Sequence, residues 1–165
     1  MVRLYVIDWP GPGRLATMAH PPGGPELPAA MARLAEAGAQ LLVSALCDDE
    51  IAELTLTGAP AAAAAAGLEL VRFPISDCEV PEQSRALAVG RLVDRLAAEL
   101  RAGRFVVTHC WAGIGRSSLL AGATLVRLGT PPEQAWELIR AARGLPVPDN
   151  RDQEAWLYQF AAGTT

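Results

Sequence analysis

The stretch from residue 105 to residue 129 constrains the fold of this chain more than any other part of its sequence. Residues 105–108 form a short apolar run rich in β-branched side chains, which predicts a buried parallel strand. Residues 117–128 are apolar almost all round and stop before Gly129, which predicts a buried helix. Because a loop with two glycines joins these segments, the stretch predicts a strand–loop–helix unit of an α/β domain.

Alternating strand and helix patterns along the rest of the chain predict the same fold class. Strands are predicted at residues 4–7, 14–18, 41–46 and 68–73, and helices at residues 27–37, 48–54, 61–66, 82–102, 130–142 and 152–161. We expect an α/β fold with a twisted, mainly parallel sheet of about five strands and helices on both faces. With 165 residues, 51% of them hydrophobic, the chain is expected to form a single catalytic domain over residues 1–165.

The loop after the predicted strand combines a thiol with a guanidinium. It reads His109-Cys110-Trp111-Ala112-Gly113-Ile114-Gly115-Arg116-Ser117-Ser118. Backbone N–H groups of a glycine-bearing turn and of a helix N-terminus converge on anions, so they favour a thiolate on Cys110 and a bound phosphate or sulfate. The planar guanidinium of Arg116 can meet two oxygens of such an anion. In the alternative interpretation, His109 and Cys110 are core residues and the glycines only form a turn.

A candidate acid lies on a second loop. Residues 71–81 read Val71-Arg72-Phe73-Pro74-Ile75-Ser76-Asp77-Cys78-Glu79-Val80-Pro81, a strand-like run that ends in a turn before a long helix. Since the carboxyl ends of parallel strands share one edge of a sheet, Asp77 is expected to lie near Cys110. Asp77 would protonate a leaving oxygen, with Glu79 as the rival acid; Asp77 can also be a plain turn former.

Both motifs resemble those of one enzyme family. The pattern His-Cys-x-x-Gly-x-x-Arg-Ser is similar to the signature loop of the cysteine-based protein tyrosine and dual-specificity phosphatases, and Pro-Ile-x-Asp-x-x-x-Pro resembles the general-acid loop of compact dual-specificity members. The resemblance implies a phosphomonoester hydrolase that forms a phosphocysteine on Cys110, with Asp77 as general acid and no cofactor. It further implies that Ser117 donates a hydrogen bond to the sulfur, that His109 supports the loop, and that Gln153 helps to place the hydrolytic water. The alternative for Gln153 is a solvated helix residue.

The three cysteines are too few for a disulfide framework and fit a reducing cytoplasm. Cys47 follows the predicted strand 41–46, so it is expected at the same sheet edge as Cys110. The family resemblance implies that such a cysteine can trap an oxidised nucleophile as a disulfide, with Cys78 as the competing partner. The alternative for Cys47 is a small buried hydrophobic residue.

Composition limits the partners. Loop residues 111–115 contain no lysine, which favours a monophosphate ester, and Trp111 and Ile114 suit an aryl or protein surface. We therefore expect a phosphorylated protein or peptide, with phosphotyrosine favoured and phosphoserine and phosphothreonine still open, and inorganic phosphate or vanadate as competitive ligands. The net charge of −4 without a basic stripe excludes nucleic acid and anionic membranes, and no segment is typical of a signal peptide or membrane span, so a cytoplasmic location is expected.

Two other functional classes use a similar loop. One is a non-catalytic module that binds phosphorylated residues, and the other is a rhodanese-like sulfurtransferase or an arsenate reductase. The joint presence of Cys110, Asp77 and Arg116 argues against a module that only binds. No metal is expected, because His20 and His109 are the only histidines and no histidine, cysteine and carboxylate cluster shows ligand spacing.

Overall fold

The computed structural model describes residues 1–163 and shows five strands and seven α-helices within them. In chain order these are β1 (Tyr5–Ile7), β2 (Arg14–Met18), α1 (Leu27–Glu36), β3 (Leu41–Ser44), α2 (Asp48–Glu53), α3 (Ala59–Ala65), β4 (Glu69–Arg72), α4 (Ala86–Arg101), β5 (Phe105–His109), α5 (Arg116–Arg127), α6 (Pro132–Arg143) and α7 (Arg151–Gly163). One sheet holds the strands in the order β1-β2-β5-β3-β4, with β1 antiparallel to β2 and the other pairs parallel. The predicted α/β class and mainly parallel sheet are confirmed, whereas the single-domain prediction, which includes residues 164 and 165, stays a prediction.

Helices cover both faces of the sheet because successive strand residues point to opposite sides. Along β5, Val106 joins one buried cluster, in which side chains of α4, α5, α6 and α7 take part. Phe105 and Val107 join a second cluster, shared with α1 and α3. The first of these faces also carries Cys110.

The winding of the chain places three strand ends together. The connections from β2 to β3 and from β3 to β4 run through helices on one face, and α4 returns on the other face from β4 to β5. Such a reversal opens a crevice at the carboxyl ends of the central strands, where ligands of α/β proteins bind. The loops after β5, β3 and β4, which contain the candidate residues of the sequence analysis, therefore meet at this edge.

The helix before β5 is shorter than predicted. It begins at Ala86, after a 3₁₀ turn over Gln83–Arg85, instead of at residue 82. The apolar spacing within residues 82–102 predicts a buried Leu87, but this residue is 79% exposed. Since each helical residue turns by about 100°, Leu87 lies roughly 200° from the buried Val89 and therefore faces outward.

The helix predicted at residues 130–142 begins later than predicted, and the spacing of Thr130 and Glu133, typical of a capping box, does not produce one. α6 begins at Pro132, its N-cap position is Pro131, and no side chain caps it. Thr130 instead closes the preceding helix, since its N–H donates to the carbonyl oxygen of Leu125 at 3.0 Å after Gly129 turns with a φ of 98°. Within the described residues, no helix combines the length and the apolar character that crossing a bilayer requires.

Candidate active site

The loop between β5 and α5 holds the thiol at the amino end of a helix. Cys110 follows the last residue of β5 and is only 3% exposed, and α5 starts at Arg116. Gly113 has a φ of 70°, and a Cβ there would lie 2.5 Å from the backbone of Met18, so both backbone shape and space require glycine. Arg143 donates to the carbonyl oxygens of Gly113 (3.1 Å) and Ala112 (3.3 Å) and so braces the loop from outside.

Ser117 lies directly beside the thiol. Its Oγ is 3.4 Å from Sγ of Cys110, within hydrogen-bonding distance for sulfur, and the residue is fully buried. The hydroxyl of Thr108 donates to the carbonyl oxygen of Ser117 at 2.9 Å, which fixes the first turn of α5 against β5. The hydroxyl of Ser117 can therefore donate to a sulfur anion on Cys110 without moving.

Arg116 is held by a carboxylate that the sequence analysis did not identify. Its Nη1 and Nη2 donate to Oε2 and Oε1 of Glu50 at 2.7 and 2.8 Å, and Nη1 also donates to the carbonyl oxygen of Ile75 at 3.0 Å. Burial opposes ionisation of Glu50, but the hydrogen bonds from Arg116 and from the Cys47 N–H hold the pKa of this carboxyl below its usual range. A sequence signal existed, because Glu50 is the third residue of a helix that starts at the predicted sheet edge.

Asp77 contacts the same guanidinium. Its Oδ1 lies 3.0 Å from Nη2 of Arg116, and its side chain remains 67% exposed. The next residue, Cys78, has a φ of 59°, unusual for a residue with a side chain, so the surrounding contacts hold the turn. The structure thus brings Asp77 and Cys110 to one pocket. The rival acid Glu79 lines a different groove, between α4 and α7.

Gln153 holds two loops of the site together. Its Nε2 donates to the carbonyl oxygen of Glu79 at 3.0 Å, and its Oε1 accepts from the N–H of Asp149 at 3.0 Å. The neighbouring Asn150 donates to the carbonyl oxygen of Cys78 at 2.8 Å. Gln153 is fully buried rather than solvated, and its amide is engaged with backbone groups. These contacts give it a role in positioning the acid loop; its role in placing water stays a prediction.

His109 points away from the thiol. Its Nδ1 lies 3.4 Å from the carbonyl oxygen of Cys110, and the residue is 3% exposed. Desolvation by burial lowers the pKa of His109 to about 4, so the ring is neutral at physiological pH. His109 therefore supports the loop through a hydrogen bond to its backbone, not through a positive charge.

The pocket above Cys110 has a volume of about 610 Å³. It is lined by Cys47, Asp49, Glu50, Glu53, Ser76, Asp77, Cys78, Cys110, Trp111, Ala112, Arg116 and Asp149. Five of these residues carry a carboxyl group, and Arg116 is the one cation in this lining. Trp111 stands at the rim, 36% exposed, with its ring edge-on to His20. Ile114 packs against the core instead of lining the pocket.

Asp149 was also missed by the sequence analysis. A Cβ on Gly115 would lie 1.9 Å from Oδ2 of Asp149, so this carboxyl group abuts the loop around the thiol and depends on that glycine. Burial, and then the charge of Asp77, raise the pKa of Asp149. No motif marks this residue, because it lies in a proline-rich turn far from the loop in sequence.

All three cysteines are free thiols, and Cys47 and Cys78 line the same pocket as Cys110. The Sγ of Cys47 donates to the carbonyl oxygen of Ile75 at 3.5 Å. Burial and the nearby Glu50 raise the pKa of the Cys47 thiol, so it is protonated at neutral pH.

One cluster of a thiol and two carboxylates has the geometry of a possible metal site, although it contains no histidine. Within residues 1–163, ligand atoms of Cys47, Asp49 and Glu50 lie within 4.8 Å of one another. However, both oxygens of Glu50 accept hydrogen bonds from Arg116, and one also accepts from the Cys47 N–H. A metal ion at this cluster would therefore compete with the ion pair that fixes Arg116.

Comparisons with known proteins agree on one fold. A rat protein, cyclin-dependent kinase inhibitor 3 from Rattus norvegicus, is 29% identical over 96 residues, which are 57% of this chain and 44% of the rat protein. The crystal structure of kinase associated phosphatase with its catalytic-site cysteine changed to serine matches with a TM-score of 0.87 at 20% identity, over 98% of this chain and 95% of that chain. The crystal structure of PTPMT1 in complex with PI(5)P matches with a TM-score of 0.74 at 22% identity, over 90% of each chain.

A family profile supplies the assignment. The profile described as "Polymorphic toxin system, DSP-PTPase phosphatase" matches residues 18–130, more than half of the chain, from β2 through the acid loop and the thiol loop to the end of α5. The chain belongs to this family of phosphatases of the dual-specificity and protein tyrosine type.

Proposed function

We propose that this protein hydrolyses phosphotyrosine in proteins or peptides through a phosphocysteine intermediate on Cys110. One observation carries the proposal: a buried thiol lies at the N-terminus of α5, beside Arg116 and Ser117, in the same pocket as Asp77. Backbone amides of residues 111–115, the helix dipole and Arg116 together supply the positive field that a phosphate dianion and a thiolate require.

In the first step, the thiolate of Cys110 attacks phosphorus in line with the bond to the leaving oxygen. A sulfur–phosphorus bond forms while the phosphorus–oxygen bond breaks, and the protonated carboxyl of Asp77 gives its proton to the leaving oxygen. Arg116 and the loop amides hold the equatorial oxygens throughout. The products are a phosphocysteine and the dephosphorylated hydroxyl.

In the second step, water attacks the phosphocysteine. The carboxylate of Asp77 accepts a proton from the water, the sulfur–phosphorus bond breaks, and inorganic phosphate leaves. The hydroxyl of Ser117, 3.4 Å from Sγ, donates to the departing sulfur anion and so stabilises the thiolate form of Cys110. Gln153 supports this step by fixing the acid loop and, we propose, by helping to place the water.

The acidic pocket favours a monophosphate on a peptide over a polyanionic lipid headgroup. Arg116 is the one cation in a lining with five carboxyl groups, and loop residues 111–115 carry no basic side chain that could neutralise further phosphates. Like charges at a site raise the cost of binding additional anionic groups. Trp111 at the rim offers an apolar surface for a tyrosyl ring or the flanking peptide.

We infer that oxidation inactivates Cys110 reversibly. We also infer that the protein acts in a reducing cytoplasm. Hydrogen peroxide oxidises a thiolate nucleophile to a sulfenic acid and is itself reduced to hydroxide. The thiol of Cys47, which lines the same pocket, can attack this sulfenic acid, which forms a disulfide and releases water. Cys78, also in the pocket, is the competing partner. A reducing compartment then restores both thiols.

Hydrolysis of p-nitrophenyl phosphate and of a phosphotyrosine peptide, both in EDTA, tests the mechanism. We expect Cys110→Ser to abolish turnover of both substrates. Asp77→Asn should slow the peptide by about 10²- to 10⁴-fold and p-nitrophenyl phosphate much less, because nitrophenolate leaves without a proton. Asp149→Asn, which removes another carboxyl of the same pocket, is the matched control and should leave the difference between the two substrates unchanged.

Other results would select another function. A wild-type protein that binds vanadate tightly but turns over neither substrate is a phosphate-recognition module, and the enzyme proposal is then wrong. If phosphoserine peptides or phosphoinositide vesicles are hydrolysed faster than the phosphotyrosine peptide, the mechanism can stand but the assignment to phosphotyrosine is refuted. Phosphate and vanadate should both inhibit competitively.

A further inference from the structure

A second cavity, of about 310 Å³, lies behind the thiol loop on the opposite face of the sheet. It is enclosed by the ends of β3, β4 and β5 and by α1, α2 and α3, and it shares no lining residue with the pocket above Cys110. Much of its wall is apolar, formed by Met31, Ile51, Leu56, Pro60 and Leu70. This size and lining are at the lower end of those of small-molecule sites.

Two buried polar side chains line this apolar cavity. Ser44 is 4% exposed and His109 is 3% exposed, and the two residues are direct neighbours in the register of β3 and β5. Because side chains alternate along a strand, His109 lies on the face of Val107 and Phe105, while the next residue, Cys110, joins the core on the other face.

The hydrogen bonds of His109 are incomplete. Its Nδ1 has the Cys110 carbonyl oxygen at 3.4 Å, whereas its Nε2 has no hydrogen-bond partner anywhere in residues 1–163. Burial holds the pKa of His109 at about 4, so the ring is neutral; with Nδ1 as the donor, Nε2 carries a lone pair. The Oγ of Ser44 accepts from the Leu46 N–H at 3.4 Å, and its own hydrogen finds no acceptor in the same part of the chain. Both side chains line the cavity, where a bound molecule can supply a hydrogen-bond partner.

We propose that this cavity is a second binding site, for one small, neutral, mostly apolar molecule with an N–H or O–H group that donates to Nε2 of His109. A flat heteroaromatic compound of the size of indole fits this description. Ser44 offers a hydroxyl to the same ligand. The rim disfavours a charged ligand, because Arg72 is already paired with Asp48 at 2.8 Å and bonded to the Leu46 carbonyl oxygen. An ion would lose its hydration without gaining a free counter-charge.

A ligand bound in this cavity would affect the thiol loop through His109. A donor on Nε2 polarises the imidazole ring and strengthens the hydrogen bond from Nδ1 to the Cys110 carbonyl oxygen. Since the two pockets have no lining residue in common, the second ligand and the phosphate ester bind at the same time. The ligand therefore modulates turnover without competing with substrate.

Binding of indole and of benzofuran to the ¹⁵N-labelled protein tests the proposal directly, with or without enzymatic activity. The two probes have the same shape, but benzofuran lacks the N–H donor. We expect indole to shift the amide signals of Ser44, Leu70 and His109, to do so equally at saturating vanadate, and to bind about tenfold more tightly than benzofuran. Ala59→Phe, which places a ring in the cavity wall, should abolish the shifts, whereas Ala64→Phe, exposed on the same helix, should not.

Three results would overturn the proposal. Equal affinity for indole and benzofuran refutes the hydrogen bond to His109, and loss of the shifts in vanadate places the indole in the pocket above Cys110. The absence of shifts in the wild-type protein up to the solubility of indole means that only water occupies the cavity. If Ala59→Phe fails to fold, the comparison of the two probes on the wild-type protein still decides.

Discussion

Replacement of Glu50 by glutamine tests whether the ion pair behind the pocket positions Arg116 for catalysis. Glutamine keeps the size of the side chain but offers one oxygen where Glu50 accepts from both Nη atoms of Arg116 and from the Cys47 N–H. At least one of these three hydrogen bonds is lost, and a bond to a charged group contributes about 1.5–3 kcal/mol. Arg116 keeps Ile75 and Asp77 as partners, so we expect the free energy of unfolding to fall by about 2 kcal/mol and Tm by roughly 4–8 °C.

The loss of this hydrogen bond should also lower the rate of phosphate ester hydrolysis. If most of the lost hydrogen-bond free energy destabilises the transition state, in which Arg116 must hold two phosphate oxygens, kcat falls by about 10- to 100-fold. Steady-state kinetics and thermal melting of Glu50→Gln measure both effects. Glu53→Gln is the matched control, because this exposed residue lies on the same helix and lines the same pocket. A Glu50→Gln protein with a lowered Tm but kcat within twofold of wild type shows that the ion pair only stabilises the fold, and refutes the positioning argument.

Three further predictions concern single residues. The pKa of His109 is about 4 in the folded chain against about 6.5 unfolded, so below pH 6.5 the unfolded state binds the extra proton and stability falls by about 3 kcal/mol by pH 4; denaturant unfolding across this range should show a smaller loss in His109→Asn. Brief peroxide treatment should give a dithiothreitol-reversible link from Cys47 to Cys110, and non-reducing peptide maps without that link contradict the redox proposal. Gly113→Ala should destabilise the protein by about 2 kcal/mol or more and impair vanadate binding, since it combines a positive φ with a backbone clash; an unchanged vanadate affinity on titration would mean that the loop adapts.

The fold could be predicted because its signals are local. Strand and helix patterns alternate along the chain, and the buried strands consist mostly of apolar residues, as is typical of the central strands of a parallel sheet. The errors lie where a local pattern fits a residue that the folded chain uses differently. Thr130 has the spacing of a capping box, yet its N–H closes the preceding helix, and Leu87 is apolar but lies on the outer face of α4.

Some residues of the candidate site could be predicted from the sequence and others could not. Cys110, Arg116 and Asp77 could be proposed from sequence because the backbone geometry of their loops restricts the residues that fit, and glycines and prolines record that geometry. Glu50 and Asp149 act through side-chain contacts that span distant parts of the chain. The bond between Glu50 and Arg116 joins residues 66 positions apart, and no periodic pattern encodes such a pair.

The alternation of one strand links the two pockets of this protein. His109 and Cys110 are adjacent in sequence, but a strand directs successive side chains to opposite faces, so one residue faces the apolar cavity and the next faces the phosphate pocket. The imidazole of His109 bonds the carbonyl oxygen of Cys110, which belongs to the next peptide group, between Cys110 and Trp111. A change in the hydrogen bonding of His109 therefore reaches the backbone of the nucleophile through a single carbonyl oxygen, that of Cys110, while the ion pair with Glu50 holds Arg116.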